Sequence, residues 1–276
     1  MDLNELLVNP AIQAGVAPFL VALIVAGPLR RSRMLGLAIG AGFLVVVVLT
    51  MGLSFESLTS TRKLVLVGLA ATLLVMPFEA VPPGRLPAAR AIMLLAAGVA
   101  AVWVLMRVLA QQSFGPAAGA GLAAAVFLML LLESSHRACQ GDPVGSAALA
   151  LMLGLGTGVL ALIGASAQLA QLCIAIGAAG GAVLLVQMLA GRPAERGWTL
   201  LLPAVVVIGL AGLLAVFTGT LPWFCLLPIL AIPWALRLVP KRARPTWLTA
   251  FLAALAVFVP MILAVTFAWF VDRSFT

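Results

Sequence analysis

The most varied chemistry in this chain lies in the run 132–137, Leu-Glu-Ser-Ser-His-Arg. It holds the single histidine, His136, three residues after Glu133, a spacing that puts both side chains near one face of a helix. A carboxylate and an imidazole so placed can exchange a proton near neutral pH, as in a cytoplasmic gate for a substrate. The alternative is an ordinary helix end, with Glu133 paired to a neighbouring arginine and Arg137 directed toward lipid headgroups.

Other charged residues border the adjacent apolar blocks and are predicted to meet this run at one inner rim. The candidate inner-rim polar cluster comprises Glu79, Arg85, Arg90, Glu133 and His136, with Arg137 beside them. Both acids lie near the end of an apolar block, and no acid is predicted at the midpoint of one. Because proton-driven carriers commonly place an ionisable relay inside the membrane, this pattern argues against that mechanism.

A second polar group carries no charge. Ser166, Gln168 and Gln171 interrupt a long apolar stretch and are candidate cavity-lining residues, if the chain dips inward there as broken transporter helices do. The alternative is a surface turn followed by a helix start.

Catalytic and cofactor motifs are not found. The chain has no Gly-x-Ser-x-Gly elbow, phosphate loop or His-Glu-x-x-His pattern, and its three cysteines are far apart. Gly154-x-Gly156-x-Gly158 lies inside an apolar block with no preceding strand, so it does not predict a nucleotide site. We therefore predict no enzyme activity, no catalytic residue, no cofactor and no metal site.

The elements that position these residues follow from composition. Of 276 residues, 64% are hydrophobic and 9% charged, whereas roughly a quarter are charged in soluble domains. A membrane helix needs about 20 apolar residues. The sequence predicts an all-α polytopic membrane protein, a single transmembrane domain over 1–276, with about ten spans: 11–29, 34–53, 63–82, 88–110, 117–134, 144–164, 168–190, 198–217, 221–238 and 246–270.

Basic residues predict the orientation. Twelve of the sixteen Lys and Arg residues lie in every second gap between apolar blocks, the pattern of the positive-inside rule. This parity requires a break within 144–190, placed at 164–168, and puts both termini outside, on the periplasmic side. The Arg-rich, Ala- and Leu-rich composition suggests a bacterial inner membrane. The net charge of +8 lies in short loops, which favours membrane lipids over nucleic acid as its partner.

Five spans in each half would make residues 1–137 and 138–276 an inverted repeat, a plan common among secondary transporters. The match between 35–42, LGLAIGAG, and 172–179, LCIAIGAA, points that way. We expect a transporter-like protein that moves a small apolar or amphipathic solute or lipid, without naming the substrate. The alternative is a non-catalytic scaffold or accessory subunit in contact with other membrane subunits.

Overall fold

The computed structural model describes residues 9–30, 32–52, 58–140, 142–190, 197–219, 221–239 and 246–275. Every element in these ranges is helical. The helices are α1 (Ala17–Leu29, extended by a π-helical turn, Ile12–Val16), α2 (Gly36–Met51), α3 (Ser60–Ala80), α4 (Leu86–Leu109), α5 (Phe114–Ala138), α6 (Pro143–Gly164), α7 (Ala167–Ala190), α8 (Gly197–Thr218), α9 (Leu226–Leu236) and α10 (Thr246–Phe275).

The prediction of an all-α polytopic membrane protein is confirmed. Eight helical segments among the described residues are long and apolar enough to cross a membrane, and they coincide with eight of the predicted spans. Two predicted spans are shorter than expected. For 34–53 the α-helix covers 16 residues, and for 221–238 it covers 11. At 1.5 Å per residue both are shorter than the roughly 30 Å hydrocarbon core.

Local sequence explains the late start of α9. Pro222 is extended, with φ −72° and ψ 149°, and a 3₁₀ turn, Trp223–Cys225, precedes the helix. The apolar block runs through this region, so hydropathy alone extends the predicted span past the point where the backbone becomes α-helical.

The break predicted inside 144–190 is present. Helix α6 ends at Gly164 and α7 begins at Ala167. The two helices form an antiparallel pair with direct backbone contact, because a Cβ built on Gly154 would lie 2.4 Å from the Gly177 amide nitrogen. These glycines therefore serve close helix packing.

The core surrounds α8, which packs against α2, α3, α5 and α6. Of its most apolar stretch, 89% is buried, against 28% for α5 and for α10. Helix α8 is thus an internal helix, whereas α5 and α10 present wide apolar faces to their surroundings.

Contacts between helix ends define one end of the bundle, called the basic end below. There the start of α4 meets the end of α5 through Arg90 and Glu133. The start of α10 meets the end of α7 where the Thr246 hydroxyl donates to the Met188 carbonyl at 3.4 Å. The start of α6 lies against the end of α9, since a Cβ built on Gly145 would be 3.3 Å from Leu236 Cδ2.

Candidate functional site

The centre of the candidate site is an ion pair between α4 and α5. Arg90 lies near the start of α4 and Glu133 near the end of α5, so antiparallel packing brings them to the same level. Arg90 Nε donates to Glu133 Oε2 at 2.8 Å, and Nη2 donates to Oε1. The side chains are 30% and 17% exposed, respectively. Such a bidentate, partly buried pair is stronger than an ordinary surface salt bridge.

Arg137 joins this pair from one turn further along α5. Its Nε donates to Glu133 Oε1, the oxygen that also accepts from Arg90. One carboxylate therefore serves two guanidinium groups. Arg137 remains 62% exposed, so most of its surface is open to a further contact.

A cleft of 250 Å³ opens beside Glu133 between α5 and α9. Its walls are formed by Leu130, Glu133, Ser134, Arg137, Leu230, Trp234 and Arg237. The Arg237 guanidinium carbon lies 4.4 Å from the centroid of the Trp234 ring, a cation–π contact. The cleft therefore has cationic groups at its mouth and leucines deeper in the span.

The spacing of residues in α5 and α9 produces the change from apolar to cationic side chains on both walls of the cleft. Leu130, Ser134 and Arg137 follow each other at i, i+4 and i+7 on α5, and Leu230, Trp234 and Arg237 do the same on α9. Residues at these spacings share one face of a helix. Since both helices end at the basic end, the two faces run side by side from apolar to cationic.

The structure brings only part of the predicted inner-rim cluster together. Arg90 and Glu133 meet, with Arg137. Arg85 lies exposed in a 3₁₀ turn, Pro83–Arg85, and takes no part in the cleft. The backbone of Glu79 belongs to α3, but its side chain lies outside the described residues.

His136 is half-buried, and its Nε2 lies 3.0 Å from Gln140 Nε2, one turn further along the chain. Glu133 acts as the counterion of Arg90 and Arg137. This is the second of the two roles that the sequence suggests, an ion pair at an ordinary helix end. Exchange of a proton between Glu133 and His136 stays a prediction.

The uncharged polar group lies at the opposite end of the bundle. Ser166 stands in the two-residue turn between α6 and α7, and its Oγ accepts a hydrogen bond from the Gln168 amide at 3.2 Å. This bond caps the start of α7. Gln168 and Gln171 are half-buried on its first turns. Their role in lining a cavity stays a prediction.

A buried lysine at this opposite end was missed by the sequence reasoning. Lys63 is 8% exposed, and its ammonium donates to the Trp103 carbonyl at 3.1 Å. The same nitrogen lies 5.2 Å from the centroid of the Trp103 ring. Carbonyl and ring face together replace part of the hydration that burial removes. The signal available in the sequence was the depth of Trp103 in its span, because tryptophan usually lies at the interface.

Arg237, Trp234, Ser134 and the two leucines of the cleft were also missed. Their i, i+4, i+7 spacing can be read from the sequence, but the contact between α5 and α9 cannot.

Fold and site together describe an all-helical, multi-pass membrane protein with a charged cleft at one end. A scan against protein-family models and searches of curated proteins and of solved structures find no match to this chain.

Proposed function

We propose that the protein moves a small amphipathic solute or a lipid across a bacterial inner membrane, and that the cleft between α5 and α9 receives it. Eight apolar helices support the membrane setting. In this proposal the two shorter helices, α2 and α9, also cross, which gives ten spans. The positive-inside rule then makes the basic end cytoplasmic and leaves both termini outside.

The cleft is the observation that carries the proposal. A solute with a polar head and an apolar body needs a site that changes from charged to apolar over a few ångströms. Arg137 and Arg237 at the mouth, with Leu130 and Leu230 below, offer that change within 250 Å³. Trp234 stands between them, in the position that amphipathic rings favour at a membrane interface.

Transport predicts a direct result in vesicles. Purified protein is reconstituted into vesicles that contain a trace of fluorescent phospholipid, and an impermeant quencher reports which leaflet the lipid occupies. We expect protein-dependent movement of the protected lipid to the outer leaflet. Leu230→Trp fills the cleft and should slow this movement, whereas Leu227→Trp, at a 53% exposed position of the same helix, should leave it unchanged. Equal rates of lipid movement in both variants would show that the movement does not pass through the cleft.

A scaffold role is the second candidate, and the outer half of α5 favours it. A Cβ built on Gly115 or Gly119 would have nothing within 4 Å, so this small-residue face is open to a neighbouring helix. Absence of lipid movement, combined with stable co-purification of another membrane subunit, would support the scaffold role over transport.

The 5+5 inverted repeat remains a prediction without support from the helix packing. Helix α6 packs along α10 and α8, whereas the described parts of α1 make no comparable contact with α5 or α3. The transport proposal does not depend on the repeat.

A further inference from the structure

We infer that the cleft between α5 and α9 binds the phosphate of an anionic glycerophospholipid from the cytoplasmic leaflet. The phosphate lies between Arg137 and Arg237, and an acyl chain follows Leu130 and Leu230 toward the bilayer centre. This inference rests on the proposed function in taking the cleft as the solute site, and it names the chemical class of the solute.

Charge is the first argument. Arg137 and Arg237 line the cleft together with one carboxylate, that of Glu133. Glu133 also pairs with Arg90, so three guanidinium groups and one carboxylate leave two positive charges. Arg90 and Arg137 already share that carboxylate. Among the described residues, no acid lies within ion-pair distance of Arg237. A phosphodiester brings one negative charge and oxygen acceptors that arginine binds well.

The geometry of Arg237 is the second argument. Its guanidinium carbon stands 4.4 Å from the centroid of the Trp234 ring, so the ring limits its orientation. A guanidinium held against an aromatic ring keeps its N–H donors at the edge of its plane. Those donors are therefore available to a ligand at the mouth of the cleft.

Size and position favour a lipid over a free anion. A cleft of 250 Å³ has room for a headgroup but not for two acyl chains. Leu130 is 49% exposed and lines the apolar part of the cleft. An acyl chain packs against this surface through van der Waals contacts, and inorganic phosphate has no apolar group that could do so.

The test is lipid binding to the whole delipidated protein, measured by native mass spectrometry. Phosphatidylglycerol, phosphatidylcholine with matched chains, and inorganic phosphate are titrated separately. We expect phosphatidylglycerol to bind about tenfold more tightly than phosphatidylcholine. Both lipids carry the phosphate, but the choline cation of phosphatidylcholine is repelled by the excess positive charge of the arginines. Arg237→Gln should remove most of this preference. Arg85→Gln removes an equal charge from the same end, outside the cleft, and should retain it.

Each other outcome overturns the inference. An equal preference for phosphatidylglycerol in Arg237→Gln and the wild-type protein would show that the cleft does not bind the headgroup. Competition by inorganic phosphate at concentrations below those of the lipid would identify a free anion as the ligand. Leu230→Trp leaves every charge in place, and undiminished binding of phosphatidylglycerol by that variant would also reject the site.

Failure of this inference differs from failure of the proposed function. Lipid movement in vesicles without any preference for the anionic headgroup leaves transport standing and rejects the headgroup site. A headgroup preference without lipid movement retains the headgroup site and rejects transport.

Discussion

Arg90 and Glu133 lie 43 positions apart in the chain, yet their side chains form a bidentate ion pair that joins the start of α4 to the end of α5. The contact depends on an antiparallel helix pair whose connecting turn is at the far end of the bundle. The pair therefore reports on the packing of two whole helices, and the carboxylate also sets the position of Arg137 in the cleft.

Removal of this carboxylate should destabilise the protein. In Glu133→Gln, two guanidinium groups lose their counterion at a site where Glu133 is only 17% exposed. We expect a loss of about 1–3 kcal/mol of stability, seen as a lower Tm in detergent. Arg85→Gln is the control and should leave Tm unchanged.

A double-mutant cycle isolates the pair. Arg90→Gln and Glu133→Gln are measured singly and together, and their effects should be less than additive because each removes the same contact. Full additivity would mean that the observed geometry contributes no coupling energy.

Backbone contact between α6 and α7 gives a second prediction. In Gly154→Ala the added Cβ would lie 2.4 Å from the Gly177 amide nitrogen, and backbone atoms cannot move aside cheaply. We expect a loss of roughly 1–3 kcal/mol, measured by thermal unfolding.

Gly119→Ala is the matched control. Gly119 lies in α5, another membrane-spanning helix, and a Cβ built on it would have nothing within 4 Å. Alanine is the better helix former by about 1 kcal/mol, so this variant should equal or exceed the wild-type stability. A Gly119→Ala protein that loses its oligomeric partner in detergent would instead identify that face as an interface.

Substitution of Lys63 and of its neighbour Trp103 should have unequal effects on stability. Lys63→Met keeps most of the side-chain volume and removes the buried ammonium, so its cost should be small or even reversed in sign. Trp103→Leu keeps the ammonium and removes the ring that lies 5.2 Å from it. We expect Trp103→Leu to lower the stability by about 1–2 kcal/mol more than Lys63→Met.

The two variants are compared by Tm in the same detergent. The reverse order, with Lys63→Met the more damaging, would indicate that the hydrogen bond to the Trp103 carbonyl stabilises the fold more than the burial of charge opposes it.

Local features explain how much of the fold the sequence predicts. Apolar length and polar breaks are properties of a short window, and they locate eight spans and the turn at 164–168. The lengths of α2 and α9 are overestimated because hydropathy does not distinguish a 3₁₀ turn from an α-helix. Such turns precede these two helices, at Arg33–Leu35 and at Trp223–Cys225.

The site is less predictable because it depends on which helices are neighbours. Arg90 and Glu133 are grouped correctly because consecutive spans tend to pack side by side. Arg237 is missed because α5 and α9 are separated by three helices in the chain. The two i, i+4, i+7 faces can be recognised as the walls of one cleft only once those two helices are known to touch.

Orientation in the membrane gives the last prediction, and cysteine labelling measures it. Cys139, Cys173 and Cys225 are all buried, and their replacement by alanine gives a background without cysteine. Single cysteines are then introduced for Gln112, at the turn between α4 and α5, and for Gln140, at the basic end, both exposed positions.

The positive-inside rule places Gln112 outside and Gln140 in the cytoplasm. An impermeant maleimide added to intact spheroplasts should therefore label the Gln112→Cys protein, whereas the Gln140→Cys protein should react only after the membrane is opened. Labelling of Gln140→Cys from outside would invert the topology. The cleft of Arg137 and Arg237 would then face the outer leaflet, and a cytoplasmic lipid could not be its ligand.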